Sequence, residues 1–117
     1  MSCPSFIAQS MALRTATHLA HLSTKSYAHH KALNHFYDDL LDLIDKYAEI
    51  YMGLEGPITK WPSAELPTGS PVEMLEEYLG VLAEEEAEDH DSQALIGVLA
   101  ELEELTARTI YKLRFLK

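Results

Sequence analysis

A chain of 117 residues is the length of one domain, with room for one modest core. Hydrophobic residues at 47% and charged residues at 24% exclude a disordered chain, and nineteen acids against nine Lys and Arg, a net charge of -10, argue against a nucleic-acid-binding module while permitting cation binding. The single cysteine, Cys3, excludes an internal disulfide framework, and no apolar run reaches the ~18–20 residues of a membrane span. Met1–Ser10 lacks the basic region of a signal peptide, so the expectation is a soluble protein of a reducing, cytoplasmic compartment, with no membrane or nucleic-acid partner.

Proline and glycine divide the chain into helical halves. Pro4 precedes the first regular segment, and residues 5–52 contain neither residue type. The polar stretch Leu22–Ser26 predicts a hairpin between a first helix over about 5–22 and a second over about 26–52. On the second, Leu33, Tyr37, Leu40, Ile44, Tyr47 and Tyr51 step by fours and threes and mark one apolar face. Pro57, Pro62 and Pro67 then fall in a long connection, where Trp61 is expected to anchor the chain to the helices.

Ser70-Pro71-Val72-Glu73 spells a capping box and opens a third helix over about 70–88, with Leu75, Tyr78, Leu79 and Leu82 facing inward. Asp89-His90-Asp91-Ser92 ends it and caps a fourth helix over about 92–116. There Leu95, Leu99, Leu102, Thr106, Thr109, Leu113 and Leu116 form the inner stripe, and Glu104 and Arg108 pair outside. Two short turns and one long middle link predict an all-α, ferritin-like four-helix bundle with a crossover between the second and third helices. A link of ~16 residues reaches ~50 Å, enough to run back along the bundle.

Five of the six histidines fall between His18 and His35. With a turn centred near Thr24, His18 and His30 would sit side by side on neighbouring helices. Asp45 and Glu49, four apart, share a helix face, and imidazoles with carboxylates suit iron. His30 lies about fifteen residues from Asp45, or ~22 Å of helix, so the two pairs cannot hold one metal within a chain. A two-fold dimer with antiparallel second helices would bring them together twice.

The stretch Ala16–Glu49, ATHLAHLSTKSYAHHKALNHFYDDLLDLIDKYAE, resembles the Dps mini-ferritins. That family carries a histidine, a second twelve positions on, then aspartate, aspartate and glutamate at further steps of four, eleven and four. This chain has His18, His30, Asn34, Asp45 and Glu49 at those positions, with a neutral amide where the family has its first aspartate. The segment Asp91–Leu116 is similar to the family's last helix. The resemblance implies an intersubunit, non-haem di-iron ferroxidase site; apart from it, the His and Asp set with an open position would also suit zinc, in a different metal-binding bundle. The catalytic residues of the ferroxidase would be His18, His30, Asp45 and Glu49. Ferrous iron would be the substrate, oxygen or peroxide the acceptor, and a homodimer or a dodecameric shell the assembly.

The competing expectation is a bundle that has lost its catalysis and serves as a structural or interaction protein, in a bacterial or phage-infected cell. His21 and His29 are expected outside the ligand set, His35 on the surface, and Asp38 as a possible substitute for the acid missing at Asn34. The acidic run from Glu84 to Asp91 reads as a solvated turn, with a cation entry as the functional alternative. Tyr27, Tyr37, Tyr47 and Tyr51 are expected in the core, and Cys3 in a mobile terminus.

Overall fold

The computed structural model describes residues 2–88 and 92–116. The chain is all-α, with four helices and no strand among the described residues. Helix α1 runs Cys3–Ser23, α2 Tyr27–Glu55, α3 Pro71–Glu86 and α4 Gln93–Phe115.

Each helix begins on a serine whose hydroxyl accepts a hydrogen bond from a first-turn amide, one of the donors a helix leaves unsatisfied. Ser2 accepts from Ser5, Ser26 from His29, Ser70 from Glu73 and Ser92 from Leu95. At Ser70 the box is complete, because the Glu73 carboxylate also accepts from the Ser70 amide. Pro4 therefore lies inside the first turn of α1, where its missing N–H costs nothing, and not ahead of the regular structure. Helix α2 passes through Gly53 and stops at Gly56, whose φ of 97° favours glycine.

Helix α1 packs against α2 and α3, and α4 packs against the same two from the opposite corner. The Tyr47 hydroxyl, late in α2, meets the Glu85 carboxylate at the end of α3, so these two helices run the same way. Arg114 near the end of α4 pairs with Glu76 near the start of α3 at 2.9 Å, so that pair is antiparallel. The segment 56–70 therefore returns along the bundle. Helix α2, at 29 residues, is long enough to set the 43 Å long axis of the molecule.

Phe6, Leu33, Phe36, Leu40, Leu75, Leu99 and Leu102 fill the centre and are fully or almost fully buried. Hydroxyls within it are satisfied on their own helices: Ser10 donates to the Phe6 carbonyl, Thr17 to Leu13 and Thr106 to Leu102.

Several expectations need correction. Leu116 is exposed, because α4 ends at Phe115 and its inner stripe ends at Leu113. Tyr27 is 74% exposed, since it starts α2 at the hairpin tip, beyond the core layers. Trp61 is 49% exposed and does not bury itself as an anchor. Cys3 is the first residue of α1 and is half-buried. Leu79 is half-buried while Leu75, Tyr78 and Leu82 are buried. Asp89, His90 and Asp91, where the sequence predicts the break between the third and fourth helices, lie outside the described residues.

Candidate functional site

The α1–α2 hairpin turns through Thr24, Lys25 and Ser26, and this register pairs His30 with His21 rather than with His18. The His21 and His30 rings stack with centroids 3.6 Å apart. Each Nδ1 lies against the other residue's backbone carbonyl, His21 at 2.6 Å and His30 at 2.8 Å. A carbonyl can only accept, so both Nδ1 atoms carry the hydrogen and donate. The His21 carbonyl belongs to the last turn of α1, where carbonyls lack helical partners. The pair is thus a reciprocal clasp that caps one helix from the side chain of its neighbour.

His18 instead lies flat on Tyr37, with centroids 4.2 Å apart, and its ring is 6.0 Å from that of His21. The Arg14 guanidinium covers the same tyrosine at 5.3 Å. Asn34 is occupied within α2: its amide nitrogen donates to Asp38 at 3.0 Å, and its carbonyl accepts from the Tyr37 hydroxyl at 3.1 Å. Asp38 is therefore a partner of Asn34 rather than a substitute for an acid there. His29 is half-buried and His35 exposed.

Asp45 and Glu49 share one face of α2 as expected, but that face is open, bordered by Asp42, Lys46 and Ile50. Lys46 reaches across to Glu101 of α4 at 3.8 Å. Among the described residues, no group of three or more His, Cys, Asp and Glu side chains is placed to hold a metal ion.

One polar cluster escaped the sequence reading. Glu85 is 1% exposed and accepts from the Tyr47 hydroxyl at 2.6 Å. Phe6 sits edge-on to Tyr47, and Tyr78 shares a 2.7 Å hydrogen bond with Ser10. Burial, and then the Glu85 carboxylate, raise the Tyr47 hydroxyl far above its ordinary range, and burial raises Tyr78. The same two causes push the Cys3 thiol up to about 12. Glu85 belongs to the acidic run by sequence, yet it continues the stripe Leu75, Tyr78 and Leu82 by a further step of three, and that periodicity was its signal. Glu84, Glu86 and Glu88 are exposed, as a solvated turn requires.

Comparison with known proteins overturns the mini-ferritin assignment. Residues 21–113 match the model of a family of unknown function, DUF5856. Over 46 residues the chain is 50% identical to an uncharacterized 14.6 kDa protein of the mobD-ri intergenic region of Enterobacteria phage T4. That stretch is 39% of this chain and 36% of the phage protein, so the chain spans little more than a third of this relative. No solved structure matches. Neither match carries a ferritin or an iron-binding description, and the histidine spacing that suggested Dps serves a clasp and a ring stack. With the model covering most of its length, the chain belongs to the DUF5856 family, whose function is unknown.

Proposed function

We propose that this is a non-catalytic helical bundle of phage type that acts through its surface, as a structural or interaction protein. The observation that carries the reading is the outer face of α1. In a chain of net charge -10, this helix of 21 residues contains no acid and one cation, Arg14, yet it exposes Met11, Leu19 and Leu22 to solvent. An uncharged outer face with large apolar side chains is a surface suited to being covered.

The side chains that could do chemistry have structural duties instead. His21 and His30 clasp the hairpin, His18 packs on Tyr37, and Asn34 bonds within α2. The connectivity, two hairpins joined by a returning crossover, is one that ferritin-like bundles also use, and the likeness is of topology alone. The relative in phage T4 supports a phage setting.

The test adds ferrous salt in air to metal-free protein and follows ferric absorbance, with thermal unfolding recorded with and without zinc or ferrous iron. The expected result is no oxidation above buffer and no metal-dependent shift in melting temperature. Protein-dependent oxidation, or a stoichiometric stabilisation by either metal, would sink the reading.

A further inference from the structure

The outer face of α1 has a regular pattern of its own. Ala8, Met11, Thr15, Leu19 and Leu22 step by three, four, four and three, a spacing that keeps them on one face of the helix and is symmetric about Thr15. The inner face uses a separate set, including Phe6, Ser10, Leu13, Thr17 and His21, all buried. Met11, Thr15, Leu19 and Leu22 are exposed, and Ala8 is half-buried. The one formal charge of the helix is turned away from this seam, because Arg14 lies over Tyr37 of α2. The helix thus has two apolar stripes, and the bundle covers one of them.

We propose that the second stripe binds the same stripe of a second copy of this chain, in an antiparallel, two-fold helix pair centred on Thr15. This inference rests on the interaction-protein reading above and names its partner. Charge selects the face through which two copies can meet. The other three helices place acids on their outer faces, including Asp45, Glu49, Glu77, Glu84, Glu101 and Glu103. Two copies that met through those faces would set like charges together, whereas α1 has no acid to oppose. Shape agrees with charge. In this register Thr15 faces its own counterpart, Met11 faces Leu19 of the second copy, and small Ala8 faces large Leu22. A closed two-fold contact of this kind is self-complementary and stops at the dimer.

The seam from residue 8 to residue 22 is ~21 Å long, so the contact buries on the order of 1,000 Å² in total, at the low end for specific interfaces. A reversible dimer with a dissociation constant in roughly the micromolar range follows. Because the face is neutral and the remainder of the surface acidic, added salt should tighten the pair by screening repulsion between the copies.

The experiment is sedimentation velocity on the full chain from about 1 to 300 μM, at low and moderate salt. The wild type should pass from monomer to dimer, with tighter association in salt. Thr15→Glu sets two carboxylates at the two-fold and should weaken association at least tenfold, with circular dichroism and melting temperature unchanged. In a Cys3→Ser background, Thr15→Cys should form a disulfide-linked dimer on mild oxidation, whereas Glu103→Cys, on the outer face of α4, should not.

A wild type that stays monomeric throughout overturns the proposal, as does a dimer indifferent to Thr15→Glu or one weakened by salt. None of these outcomes touches the metal and iron tests above, which decide the underlying reading separately.

Discussion

Replacing His21 with alanine is the most direct perturbation of the α1–α2 hairpin. The change removes the Nδ1–H bond to the His30 carbonyl, 2.6 Å in the structure, and half of a ring stack at 3.6 Å. The bond contributes a net ~0.5–1.5 kcal/mol, and an aromatic pair adds ~0.5–1.5 kcal/mol. His21 is 7% exposed, so neither loss is fully recovered from water. The sum is about 2 kcal/mol, or a fall of about 8 °C in melting temperature for a chain of this length.

His30→Ala removes the mirror-image bond and the same stack. The two changes share the stack, so the double variant should cost about 1 kcal/mol less than the two single losses added. Thermal and urea unfolding of all four proteins gives the cycle, and each should be repeated with a chelator. The two bonds of the clasp join protein donors to protein acceptors, so chelator should leave the wild-type melting temperature where it was. Additive losses, a loss below about 0.5 kcal/mol for His21→Ala, or a chelator-dependent wild type would refute the clasp.

Other expectations concern the opposite end of the bundle and the open acidic face. Tyr47→Phe removes a hydrogen bond to a buried carboxylate and should cost ~1.5–3 kcal/mol in urea unfolding, with little change in helix content. The Cys3 thiol is raised from its ordinary 9.0 to about 12, so iodoacetamide at pH 8 should alkylate it slowly in the folded chain and at the usual thiol rate in urea. By linkage, a raised thiol contributes stability that is intact below pH 9 and lost as pH climbs towards 12, so alkaline unfolding should begin earlier with Cys3 present than with Cys3→Ser. Asp45→Ala combined with Glu49→Ala should stay within ~0.5 kcal/mol of wild type, because both side chains are exposed.

How much of this was legible in the chain depends on the range of the interaction. Caps are local, and Ser70 with Glu73 could be read from four residues. Apolar periodicity is nearly as local, and the inner stripe of α2 from Leu33 to Tyr47 is buried as its spacing required. The histidine pairing depended on something finer. A turn centred at Thr24 sets His18 opposite His30, whereas moving the centre to between Lys25 and Ser26 sets His21 there. Partner positions move by twice the shift in the centre, so an error of one or two residues in the turn exchanged one histidine for another. Spacing along one chain fixes which side chains share a face, and it fixes contacts between helices only as well as the turn is known.

The spacing from His18 to Glu49 therefore illustrates how a ligand pattern and a packing pattern coincide. Steps of four and eleven keep residues on one side of a helix whatever those residues do, since four is near one turn and eleven near three. Histidine at such steps can stack, cap a carbonyl or bind a metal with equal ease. What separates these outcomes is the company each ring keeps, and here each Nδ1–H donates to a carbonyl across the hairpin while, among the described residues, no three ligand side chains are gathered to hold an ion. A bundle that uses its histidines this way needs no ion to close its first hairpin. What α1 leaves open is its outward stripe, which is why the test of function moves from the interior of this bundle to its surface.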